Sequence, residues 1–288
     1  MTDLDIVRWT ETVLGIVTGL ALLHIALPGT RPWRVLGRAF VKTVRSRSRL
    51  LYLAAFFSIL LFNYLYLVWE IDDRCTRWIG SCNGGRDFTH LIYGIEGDVL
   101  ARVQATIACL PLTWYLGFVY VIAFPCLVSV AIIVFDHLGD RRGLAMVLIG
   151  YVVNFLFVLP FYIAFPVRET FVYYKQSVAA GGPAVHMLLD DIHPKIMVAY
   201  RVMSGVDNCF PSFHTSLAVT LALVALHGAS RGFRISFGIL GISTVLSTMY
   251  LGVHWICDVT AGLAVGVLSY VLARWLSRRW ASPEESHG

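Results

Sequence analysis

Ser247-Thr248-Met249-Tyr250-Leu251-Gly252-Val253-His254-Trp255-Ile256-Cys257-Asp258 is a short chemically loaded stretch between two apolar runs, 235–251 and 255–274. Each run suits a bilayer crossing, which takes roughly 17 to 25 mostly apolar residues. Working outward, five further runs read the same way, at about 10–27, 50–69, 113–135, 144–166 and 210–227, seven in all. The first is the weakest, being short and carrying Glu11 at its edge. The chain is 57% hydrophobic and only 14% charged, with a mean hydropathy of +0.70, where a soluble domain would carry about 25% charged residues. An all-α integral membrane fold follows. The net charge of +5 does not point to nucleic acid, because the basic residues cluster beside the apolar runs. The acidic start, Asp3 and Asp5, is unlike the basic n-region of a signal peptide.

Loop charges orient the spans, since short loops rich in Lys and Arg stay in the cytoplasm. Arg31, Arg34, Arg38, Lys42, Arg45, Arg47 and Arg49 follow the first span; Arg141 and Arg142 lie in 136–143; Arg231 and Arg234 lie in 228–234; Arg274, Arg278 and Arg279 close the last span. With seven spans all four groups fall on one side, and the loops 70–112 and 167–209 face the other. The C-terminus is then cytoplasmic, and the protein is expected in the cell membrane. Within 88–110, Glu96, Asp98 and Arg102 interrupt an amphipathic pattern that fits a surface or re-entrant segment better than a span. The cations of 31–49 recur every three or four residues with Trp33, Leu36, Phe40 and Val44 between them. They fit either a helix lying on anionic lipids or a plain topogenic cluster. The loop 167–209, broken at Gly181-Gly182-Pro183, fits either a lid carrying His186, Asp190, His193 and Lys195 or a surface helix pair. Cys75 and Cys82 share an outward loop, where a disulfide could persist; no CxxC pair suggests a zinc or thioredoxin-type site.

Ionisable groups at membrane depth are costly and usually functional. They concentrate in three segments: Phe165 to Glu169, Asp207 to Ser216, and Ser247 to Asp258. The loop charges place all three at the outer face. His254 and Asp258 stand four apart on one helix, so the carboxylate can accept the imidazole N–H and leave the other ring nitrogen as a nucleophile. The same step continues to Gly262 and Gly266, a stripe that admits a close helix neighbour; Ala218 and Ala222 repeat the design below His214. His24, His137 and His227 read as structural. An interhelical hydrogen-bond network is the alternative reading of His214, His254 and Asp258.

Pro211-Ser212-Phe213-His214 resembles the Pro-Ser-Gly-His element of the type 2 phosphatidic acid phosphatase superfamily. Ser247 through Asp258 resembles its partner element, in which Ser-Arg is followed after five residues by His and four residues later by Asp; Gly252 and Gly262 also fit. The resemblance covers roughly 150–274. It implies a six-helix core formed by spans two to seven, plus one extra N-terminal helix. It divides the chain into an N-terminal helix and basic interfacial segment at 1–49, a catalytic membrane domain at 50–274 and a cytoplasmic tail at 275–288. It further implies phosphoryl transfer on a lipid phosphoester with no metal and no cofactor. His254 would attack phosphorus, Asp258 orient it and His214 protonate the leaving oxygen, with a phosphohistidine passing its group to water or an alcohol. Ser212 and Ser247 would contact the phosphate.

Three positions depart from that pattern. Thr248 replaces the arginine after Ser247, removing a charge-assisted contact worth roughly 1.5–3 kcal/mol. Phe213 replaces the glycine between Ser and His. A Lys followed six residues later by Arg-Pro is reduced to Arg168 followed by Glu169. Arg168 and Arg201, then Lys175 and Lys195, are the candidates to balance the phosphate. The lost arginine and the Phe-Pro-Ser-aromatic-His form look more like the inositol phosphorylceramide synthase and sphingomyelin synthase branch, which moves a phospho-headgroup between lipids. A lipid phosphatase using water, and a scramblase or transporter with a degenerate site, are the other readings. The spaced aspartates of a CDP-alcohol phosphotransferase are missing; Asp72-Asp73 and Asp190-Asp191 read as solvated loop acids.

Overall fold

The structure is a computed structural model and describes residues 3–45, 87–179, 182–196, 208–228 and 230–280. Among these, every extended element is helical, and a single parallel bridge joins Val167 to Asn208. The helices are α1 (Asp3–Ala26), α2 (Pro32–Arg45), α3 (Thr89–Glu96), α4 (Val99–Ile107), α5 (Leu110–Leu138), α6 (Arg141–Ala164), α7 (Thr170–Ala179), α8 (Phe213–Ala225), α9 (Arg231–Tyr250) and α10 (Ile256–Leu276). Five of them, α1, α5, α6, α9 and α10, are long and apolar enough to cross a membrane. The protein is a multi-pass membrane protein. The expected span at 50–69, Cys75, Cys82 and Arg201 lie outside the described residues.

Local chemistry sets the element ends. Gly139, at φ +73°, terminates α5, and the Asp140 carboxylate then caps α6 by accepting from the Gly143 N–H at 2.7 Å. Ser212 caps α8 through Thr215, and Ser230 caps α9 through Phe233. Extended backbone through Ser212 delays the start of α8, and turns follow Ala225, so the expected span 210–227 is a helix of only 13 residues. The segment 88–110 forms two short helices, α3 and α4, neither of them long enough to cross a membrane.

Short α8 is the hub of the bundle, packed between α6, α9 and α10. Lipid tails are as apolar as leucine, so packing here rests on close backbone approach and polar links rather than on water exclusion. Asn154 Nδ2 of α6 donates to Thr220 Oγ1 at 2.8 Å, and Thr220 Oγ1 donates to the Gly266 carbonyl at 2.9 Å. Such links average about 0.6 kcal/mol each in membrane proteins. Ile235, Ile239, Ile242 and Leu246 of α9, and Leu263, Val267 and Val271 of α10, form the exposed faces suited to lipid tails.

The glycine stripe of α10 packs on α8 as its spacing suggested. A Cβ on Gly262 would lie 2.7 Å from the Ser212 carbonyl oxygen, and one on Gly266 would lie 2.6 Å from that of Ser216. The alanine stripe of α8 points elsewhere: Gly241 of α9 packs on Ala218 and Ala222. Gly262→Val should therefore destabilise the bundle by about 1–3 kcal/mol, since backbone must move to admit the side chain. Gly238→Ala, with open space at its Cβ, should be neutral or gain up to about 1 kcal/mol of helix propensity. Thermal unfolding in detergent distinguishes them; equal midpoints would remove the packing argument.

Candidate active site

The three chemically loaded segments meet at one end of the bundle, held together largely by main-chain bonds. Cys209 N donates to the Val167 carbonyl, Thr170 N to Val253, Phe171 N to Gly252, and Ser212 N to the Asp258 carbonyl. Gly252 permits this lacing: its φ is +83°, and a Cβ there would lie 2.5 Å from the His186 carbonyl oxygen. Gln104 of α4 ties the same layer together, donating to the carbonyls of His186 and Tyr250 while accepting from His186 N. The segment after Pro183 is thus built into the fold, with Val185, Leu188 and Leu189 buried. At the other end of the bundle, His227 pairs with Tyr270 at 2.8 Å and lies near Arg142 and Arg274; burial lowers its pKa, reinforced by those cations.

His254 sits in the connection between α9 and α10, 3% exposed. Asp258 is the third residue of α10, and its Oδ2 lies 3.5 Å from His254 Nδ1. That oxygen also accepts from Trp255 N at 2.8 Å and from the Cys209 thiol at 2.8 Å. Cys209 Sγ is in turn 3.2 Å from His254 Nδ1. Burial, and then the Asp258 carboxylate, push the Cys209 pKa up, so the sulfur stays a thiol and donates. Burial pushes the His254 imidazole down to about 4, leaving it neutral at ordinary pH. Its Nδ1 side is engaged, so Nε2 is the nitrogen left for chemistry.

His214, the second residue of α8, faces His254 with ring centroids 6.0 Å apart. A π-helical turn at Val119–Ala123 inside α5 brings Tyr120 into stacking with His214 at 4.6 Å, and Phe124 lies 5.0 Å away. Inserted turns of this kind concentrate at functional sites. Two imidazoles a phosphate's width apart, one steadied by a carboxylate and one held between aromatic rings, can serve a group transfer with separate nucleophile and acid.

The other anticipated residues occupy definite places. Ser212 is fully buried and caps α8. Ser247 is buried and donates back to the Thr244 carbonyl at 2.7 Å; Thr248 does the same to Val245. Arg168 is partly exposed and pairs with Asp87, Nε to Oδ2 at 2.8 Å, while its carbonyl accepts from Trp255 Nε1 at 2.8 Å. The site's laced backbone therefore brings Arg168 beside the His254 segment. Lys175 and Lys195 are exposed.

Sequence reading missed two participants. Glu96, at the end of α3, accepts from the N–H groups of Ile256 and Cys257 and so caps α10, 160 residues away in sequence from Ile256. The carboxylate answers the positive end of that helix dipole. A charged residue inside an amphipathic segment was the available signal. Cys209 had none beyond its place in the loaded segment.

The family model of the PAP2 superfamily matches residues 95–272, which includes all three laced segments. The chain belongs to the PAP2 superfamily. No curated protein and no solved structure matches it. Membership agrees with the all-α membrane fold and with a site for lipid phosphoesters. Within this PAP2 chain, His214 lies in the first turn of α8, Asp258 in the first turn of α10 and His254 in the connection just before it.

Proposed function

We propose that the protein is a lipid phosphotransferase working through a phosphohistidine on His254. The observation carrying this reading is the pairing of His254 Nδ1 with Asp258, with the His214 ring 6.0 Å away. His254 Nε2 attacks phosphorus, and the bond to the leaving oxygen breaks as protonated His214 gives that oxygen its proton. An acceptor hydroxyl then returns a proton to His214 as its oxygen displaces His254. Asp258 holds the imidazole's tautomer and balances the charge it gains. Arg168 and Arg201 supply cations to the phosphate in place of the arginine lost at Thr248, and Ser212 and Ser247 line its approach.

Transfer to an alcohol, as in inositol phosphorylceramide synthases, is favoured over hydrolysis. The motif form supports this, and so does the burial of His254 at 3% exposure, since a sheltered intermediate is protected from water. The loop charges support an active site on the extracytoplasmic face of the cell membrane, with the C-terminus inside. The exposed Trp33 and Phe40 on α2, interleaved with Arg31, Arg34, Arg38 and Lys42, support contact of 31–49 with anionic lipids.

The test is purified protein in vesicles with a headgroup-labelled phospholipid, with and without a long-chain alcohol acceptor such as a ceramide. Labelled product only with acceptor supports transfer; release of label without one replaces transfer by hydrolysis. Movement of lipid between leaflets with no chemical product would leave only the scramblase reading. Turnover should survive EDTA, and a loss restored by magnesium would contradict a metal-free mechanism. The acid limb offers another check, because kcat/KM reports the free enzyme's groups. With a phosphodiester lipid, which does not titrate in this range, His254 should remain a free base until pH falls to about 4. A limb near its ordinary value of 6.5 would remove it from the role.

A further inference from the structure

We propose that Cys209, His254 and Asp258 also form an inhibitory site for a zinc-class divalent ion, a regulatory function that rests on reading His254 as the nucleophile. The three donors are chemically distinct, all buried, and lie within 4.8 Å of one another. Sγ to Nδ1 is 3.2 Å, Sγ to Oδ2 is 2.8 Å and Nδ1 to Oδ2 is 3.5 Å. A tetrahedral zinc ion with bonds of about 2.3 Å to sulfur and about 2.0–2.2 Å to nitrogen and oxygen needs donor separations of about 3.4–3.6 Å. The Nδ1–Oδ2 edge already fits. The sulfur would retreat by less than about 1 Å as its hydrogen bond to the carboxylate gives way to the metal.

Charge favours the exchange. A thiolate and a carboxylate together neutralise a divalent ion, so the occupied site places no net charge in a buried setting. Asp258 Oδ1, buried and with no hydrogen-bond partner among the described residues, offers the ion a second carboxylate contact. The thiolate selects zinc-class ions over magnesium and calcium, which prefer oxygen donors.

The consequence for chemistry follows from proton accounting. Binding releases the Cys209 proton to solvent and occupies the Nδ1 lone pair of His254. The imidazole proton that Nδ1 carried must then sit on Nε2, and a protonated Nε2 has no lone pair for phosphorus. Occupied, the site holds the nucleophile in its unreactive tautomer and removes Asp258 from its support.

Full-length, metal-stripped protein in detergent should be titrated with cobalt(II), whose bond to a thiolate gives a near-ultraviolet charge-transfer band. One ion per chain with that band is expected, with the band lost in Cys209→Ser and kept in Cys257→Ser. Millimolar magnesium should not displace it. Zinc should inhibit wild-type turnover reversibly on chelation. Relative to each protein's own metal-free rate, the inhibitory concentration should rise at least about tenfold in Cys209→Ser. No thiolate band in the wild type, or a band that survives Cys209→Ser, overturns the proposal. If Cys209→Ser fails to fold, X-ray absorption of the wild-type cobalt complex decides: one sulfur among nitrogen and oxygen neighbours supports the site, and a shell without sulfur overturns it. The optical and absorption readouts need no turnover, so failure of the phosphotransfer reading is seen separately.

Discussion

His254→Ala should lower lipid turnover at least about 10⁴-fold while the protein still inserts and elutes as a single species. Removing the nucleophile of a covalent mechanism typically forfeits this much, about 5 kcal/mol or more of transition-state stabilisation. The reason is specific to the site: the imidazole is buried, neutral and engaged through Nδ1, and among the described residues no other ring nitrogen lies against Asp258. The measurement is single-turnover transfer from a labelled phospholipid. Wild type should also yield an acid-labile labelled protein that the variant lacks. Full activity in His254→Ala would end its assignment as nucleophile. Label that persists on the variant would move the covalent step to another residue.

Asp258→Asn should lower kcat by about 10²–10⁴ with little change in KM. The substitution is nearly isosteric, so packing is preserved and the loss reports charge and tautomer. Oδ2 accepts from Trp255 N and from the Cys209 thiol and faces His254 Nδ1. An amide nitrogen in its place would confront donors. With the amide oxygen in its place, the hydrogen bonds survive but the negative charge that steadies a phosphorylated imidazole is gone. An unchanged kcat with at most a rise in KM, or a protein that no longer inserts, would recast Asp258 as a structural group of α10.

The parts of this molecule that were legible in the sequence are the local ones. The four-residue step from His254 to Asp258 announced their pairing, but the sequence reading placed both on one helix, whereas His254 lies in the connection before the Trp255 cap and only Asp258, with the stripe of Gly262 and Gly266, lies on α10. The long apolar runs marked α1, α5, α6, α9 and α10 because bilayer thickness imposes their length. What escaped depends on pairings across the chain. Glu96 reaches Ile256 and Cys257 only after α3 folds against α10. Cys209 enters the His254–Asp258 pair only because its backbone is bound to Val167. The shortness of α8 reflects the extended backbone at Ser212, which an apolar window cannot register. The pairing of Arg168 with Asp87 likewise could not be inferred, since Arg168 and Thr89, whose hydroxyl accepts from the Arg168 N–H, are 79 positions apart.

The lacing of the three segments carries one more implication. Carbonyls and amides belong to every residue, so a frame made from them does not record which side chains decorate it. Cys209 to Val167, Thr170 to Val253 and Ser212 to Asp258 would persist through many substitutions along these stretches. Such a frame tolerates exchange of the side chains it carries, Phe213 and Thr248 among them, without dismantling the place where they act. Innovation in substrate choice then begins from an intact scaffold.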